Sequence, residues 1–117
     1  MLSEIKGERA MEALSRLVDP IAAIAEDREA AEIFLRKKAP EDIDKTKYVT
    51  DRIRKAVPKL MEKHRDEFEE IMAIIKDVER EFYIENVSLP ELIIDISSLI
   101  SDDLFCSFFT FAPKDRT

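Results

Sequence analysis

The sequence predicts an all-α protein: a compact, single-domain orthogonal bundle of about five to seven short helices over residues 1–117. Three observations predict it. Gly7 is the single glycine of the chain; hairpins and phosphate-binding loops need glycine for positive φ, so sheets and nucleotide-binding folds are disfavoured. Apolar residues make up 45% and charged residues 38%, the mixture used by amphipathic helices with solvated outer faces. Apolar positions recur at i, i+3/i+4, in blocks that prolines interrupt. Such blocks suit short packed helices and not a long coiled coil, which needs sustained heptads.

The first segment is expected from Ser3, as cap, to Val18, with Ile5, Leu14, Leu17 and Val18 inward. The stripe continues through Ile21, Ile24 and Ala25. Pro20 cannot donate to the carbonyl of Arg16, so Asp19-Pro20 predicts a kink or restart. Asp27 is placed to cap a helix from Arg28 to Lys38, with Ala31, Phe34 and Leu35 inward, ended by Pro40. Residues 39–47 are expected as a mobile loop. Thr46 to His64 carries the ladder Val49, Ile53, Ala56, Val57, Leu60, Met61, His64, and Pro58 inside it predicts a kink or two short helices. Asp66 to Val78 is next, with Phe68, Ile71, Met72, Ile75 and Val78 inward, then a short turn of helix from Glu79 to Glu85. Ser88-Leu89-Pro90-Glu91 matches a capping box and starts a helix with Leu92, Ile93, Ile96, Leu99 and Ile100 inward. Ser101 or Asp102 caps a last helix from Asp103 to about Phe109. Residues 112–117 are expected as a flexible tail.

A net charge of −7 repels nucleic-acid phosphate, and no basic run offsets it. Arg36-Lys37-Lys38, the densest basic stretch, fits the last turn of a helix. The lone Cys106 fits a reducing cytosol and a packing role. No apolar run reaches the roughly 20 residues that span a bilayer, and the start lacks a signal-peptide pattern. The expected location is the cytoplasm, without membrane contact.

No catalytic, cofactor-binding or metal-binding residue is expected. His64, the one imidazole, closes the inner face of a helix and reads as structural. His64-Arg65-Asp66 resembles a kinase catalytic loop, but the accompanying asparagine, Gly-rich loop and D-F-G are missing. No E-x-x-H pair and no EF-hand loop occurs. Glu67, Glu69 and Glu70, and Asp77, Glu79 and Glu81, read as solvated faces.

The unusual feature is the run from Leu104 to Phe111. Leu104, Phe105, Phe108 and Phe109 share one side of a helix at i, i+1, i+4, i+5, with Phe111 beyond. Such residues plug a core or form an exposed patch that binds other proteins. All five are candidates for partner binding, and exposed phenylalanines also favour a homo-oligomer.

Several segments, in order, resemble the tail assembly chaperones of long-tailed bacteriophages and prophages of Gram-positive bacteria. They are Leu2 to Ala10, Asp19-Pro20-Ile21-Ala22 with Asp27, Arg52-Ile53-Arg54-Lys55 followed by Pro58, Leu60 and His64, and Tyr83, Glu85-Asn86 and Ser88-Leu89 followed by Leu92, Asp95, Leu99 and Asp102. The chain departs from the family at its end, where Phe108, Phe109 and Phe111 are more aromatic. The resemblance implies a non-catalytic factor in the host cytoplasm that binds the tape measure protein, and tail tube subunits, during tail morphogenesis. The alternative is an acidic regulatory or inhibitory protein, such as a DNA mimic, or another interaction module. The Lys and Arg residues interleaved through the helices argue against a mimic.

Overall fold

A computed structural model of the chain describes residues 1–35 and 44–111, except the side chains of Val49, Thr110 and Phe111. Seven α-helices and two 3-10 turns are present among the described residues, and no strand. The protein is a small all-α single domain.

A 3-10 turn, Leu2–Glu4, precedes α1 (Gly7–Ala25). Ser3 therefore lies within that turn, and Lys6 stands at the N-cap without a side-chain cap bond. The expected restart at Pro20 does not occur: α1 runs through it. Pro20 is itself buried in line with Leu17, Ile21 and Ile24. Burial of that unbroken stripe outweighs the one lost backbone hydrogen bond. Leu14 and Val18, expected inward, are exposed.

Asp27 caps α2 (Arg28–Ala31), accepting from the Glu29 and Ala30 amides. A second 3-10 turn, Glu32–Phe34, follows, and Leu35 is extended. The helix expected to reach Lys38 thus ends at Phe34. The cause is remote in sequence: the Arg52 guanidinium donates to the carbonyls of Glu32 and Leu35, which serve as the free carbonyl end. Arg36-Lys37-Lys38 lies outside the described residues. So does the expected loop as far as residue 43; Asp44 is already the N-cap of α3 (Lys45–Lys63). Pro58 sits within α3 without dividing it. Its position faces solvent, where water takes the carbonyl that loses its partner.

α4 (Arg65–Lys76) is the central helix. Ile71, Met72, Ala73 and Ile74 are all buried, so this stretch of the helix is covered on every side; its main neighbours are α1 and α5. It ends at Asp77 in the left-handed region, φ 61°. The Arg9 guanidinium from α1 donates to its terminal carbonyls, Ile74 and Ile75, at 3.2 and 2.9 Å. α5 (Arg80–Asn86) leads to α6 (Leu89–Ser101), where both bonds of the Ser88/Glu91 capping box are formed. Within α6 the expected Ile93 points outward and Asp95 inward. Asp95 is tolerated there because the Tyr83 hydroxyl donates to it at 2.8 Å and Lys76 Nζ lies 3.1 Å away. Burial, then the Asp95 contact, pushes the Tyr83 phenol upward. α7 (Asp103–Phe111) closes the domain; the expected tail, 112–117, lies outside the described residues.

Candidate protein-binding surface

α7 starts where Asp102 stops α6. Asp102 Oδ1 accepts from the Phe105 amide at 3.0 Å, a side-chain cap. Its other oxygen accepts from the Leu2 amide at 3.0 Å and lies 3.4 Å from the N-terminal amine. One carboxylate thus fixes the start of α7 and pins the first turn of the chain beside it. Burial raises the Asp102 carboxyl, but the Leu2 and Phe105 hydrogen bonds and the terminal amine outweigh this, and it titrates below its ordinary value.

The structure divides the aromatic run. Phe105 is 0% exposed and Phe109 is also buried, whereas Leu104 is 52% exposed and Phe108 is half-buried. Phe34 meets the Phe105 ring edge-on at 5.0 Å and stacks on Phe109 at 4.9 Å. Phe105 and Phe109 are therefore core side chains here, and the expectation that they contribute to a binding face is corrected for both. The reason is the partner that Phe34 supplies from a distant segment. Cys106 is buried as expected, its thiol donating to the Leu99 and Ile100 carbonyls. The Phe111 side chain lies outside the description.

Leu104 and Phe108 remain on the outer face, and they do not stand alone. With Leu2, Ile5, Ala13, Leu14 and Leu17 they line a groove of about 200 Å³ between α7, α1 and the first turn. Next to it Met11, 74% exposed, and Val18 extend the apolar strip along α1. Helical spacing puts Glu8, Glu12 and Asp19 along the far edge of that strip, all exposed. The sequence reading missed this wall because it assigned Leu14 and Val18 to the core. The available signal was width: with Met11 included, the stripe on α1 is broader than one core face requires. A further set of outward apolar residues, Phe82, Ile84, Leu89, Ile93 and Ile94, lies on α5 and α6.

The structure gives His64 two partners that the sequence did not suggest. At the α3–α4 corner its Nε2 lies 2.8 Å from Asp27 Oδ2 and its Nδ1 3.2 Å from Glu67 Oε1. The His64 contact is the main reason why Asp27 titrates below its ordinary value. Asp27 thus caps α2 and ties it to this corner. Among the described residues there is no group of three or more side chains placed to hold a metal ion. No described helix is long and apolar enough to cross a membrane. No protein-family model matches the chain, and no curated protein or solved structure matches it.

Proposed function

We propose that this chain is a non-catalytic assembly chaperone of bacteriophage tails, which holds helical segments of the tape measure protein, and tail tube subunits, in the host-cell cytoplasm. The supporting observation is the apolar groove between α1 and α7, with Leu14 and Leu104 half-exposed at its lips and Met11 and Val18 beside it. An amphipathic helix binds such a groove through apolar anchors at i, i+3/i+4 and i+7. Tape measure proteins are long and helical with apolar stripes, and so present such anchors. The acids along the far edge of the strip keep a loaded complex soluble. Binding of this kind needs no nucleotide and no reaction.

The test is a pull-down of the tape measure polypeptide by the full chain at micromolar concentration. The wild type should retain it, and Leu14→Glu with Leu104→Glu should release it. Both side chains are already half in water, so thermal unfolding of the double variant should stay close to wild type. No retention by the wild type sinks the proposal.

A further inference from the structure

A second groove, of about 480 Å³, runs between α3 and the α2 segment with its 3-10 turn. Tyr48, Arg52, Lys55, Ala56 and Lys59 line its α3 side. Their spacing of i, i+4, i+7, i+8 and i+11 makes one continuous helix face. Its floor is apolar: Ile33 and Ala56 reach it from the core, and the Tyr48 ring stands beside them with the Arg52 guanidinium 5.8 Å from its centroid. Arg52 is held in place by its bonds to the Glu32 and Leu35 carbonyls, and its buried Nε has no hydrogen-bond partner.

The lining is basic in an acidic chain: Arg28, Arg52, Lys55 and Lys59 stand against Glu29 and Glu32 in a chain whose total charge is −7. Glu29, the rim acid nearest Lys59, is neutralised by Lys59 at 3.0 Å and Lys63 at 3.8 Å. Arg28 and Lys55 are exposed and have no carboxylate partner among the described residues.

We propose that this groove docks an acidic amphipathic peptide segment of a partner protein. An apolar side chain of that segment rests on Ile33, Ala56 and Tyr48, and flanking carboxylates meet Arg28 and Lys55. Charge complementarity selects this partner, and the apolar floor sets the need for an anchor residue. A nucleic acid fits less well: it would leave the apolar floor unused, and the chain's net charge of −7 repels its phosphates. The proposal is independent of the α1–α7 groove.

The experiment measures fluorescence anisotropy with the full chain and three probes. One is a synthetic helical peptide with Leu and Phe at i, i+3, i+4 and i+7 flanked by Glu. The others are its Lys-for-Glu counterpart and a single-stranded oligonucleotide. The Glu peptide should bind at least about tenfold more tightly than the Lys peptide, and more weakly as salt rises. Lys55→Glu and Arg28→Glu should each weaken it about tenfold, since each replaces an attraction by a repulsion. Both residues are exposed, so circular dichroism should be unchanged. Tyr48→Ser should also weaken it, and Leu104→Glu should not. Equal binding of the two peptides overturns the proposal. So do charge reversals without effect, or an oligonucleotide that binds more tightly than the Glu peptide. Sedimentation that finds a second copy of the chain in the groove, released by Lys55→Glu, overturns it as well.

Discussion

The groove between α1 and α7 and the groove between α2 and α3 are built alike and charged oppositely. Each has an apolar floor continuous with the core, and each has one wall fastened by an aspartate that caps a helix and reaches a second element. Asp102 caps α7 and holds the first turn of the chain. Asp27 caps α2 and holds His64 at the α3–α4 corner. One apolar strip is edged by Glu8, Glu12 and Asp19, the other groove by Arg28, Lys55 and Arg52. The averaged charge of −7 therefore hides the second. Exposed rims, which folding leaves free to vary, set what each groove attracts; core side chains and caps set that it exists.

The two are joined through the core. Phe34 follows α2 in sequence and packs on Phe105 and Phe109 of α7. The largest expected effect is therefore Phe105→Ala, a fully buried ring, which should cost about 3–5 kcal/mol in urea unfolding. It should weaken binding at both grooves. Leu104→Ala, one residue earlier and half-exposed, should stay within about 0.5 kcal/mol of wild type. Similar costs for the two would mean that α7 is not divided as described, and the contrast between its faces would fail.

The aspartates separate the grooves. Asp27→Asn and Asp102→Asn keep a capping side chain and remove the charge, so each should cost about 1–2 kcal/mol at neutral pH through weaker charge-assisted hydrogen bonds. Both carboxyls titrate lower in the folded than in the unfolded chain. Their contribution is then full above the unfolded value of about 4 and is lost as pH falls through the lowered folded values. Wild-type urea midpoints should drop below about pH 4, and each Asn variant should flatten part of that drop. Hydrogen exchange should quicken in α2 and at the α3–α4 corner for Asp27→Asn, and over Leu2–Ile5 and the start of α7 for Asp102→Asn. Loosening of both segments by either change would show one cooperative unit, and the comparison would collapse into it.

Much of this frame was legible in the sequence. The caps at Asp27 and Ser88 were readable, and that of α7 was narrowed to Ser101 or Asp102, because a cap is a local bond between a side chain and amides two or three residues on. Of the two outcomes expected at each proline, a kink or a break, the break does not occur at Pro20 or Pro58, because the faces they occupy offset the backbone bond they remove. The early end of the α2 segment was invisible, since Arg52 supplies the hydrogen bonds from α3. So was the end of α4, where Asp77 takes the left-handed turn usually given to glycine and Arg9 closes the carbonyls. The candidate surface was half legible. The sequence singled out α7, but which of its aromatics turn inward depends on Phe34, some 70 residues earlier. The basic rim of α3 was hidden by summing charge over the whole chain.

A destabilisation smaller than that of the core ring falls on the hinge between the first turn and α1. Gly7 has φ +66°, and nothing lies within 4 Å of where a Cβ would be. A side chain there would meet no neighbour, so the cost of Gly7→Ala is conformational alone. A left-handed L-residue costs roughly 1–2 kcal/mol, partly offset by the smaller entropy of the unfolded chain, which leaves about 1 kcal/mol. The urea midpoint should fall accordingly, with faster exchange confined to residues 2–5. Client retention at the α1–α7 groove should weaken, because Leu2 and Ile5 belong to its lining. Binding of the acidic peptide at the α2–α3 groove should not change. If Gly7→Ala leaves the midpoint and the exchange unchanged, the positive φ does not hold the first turn in place, and Asp102 alone is what fastens that wall.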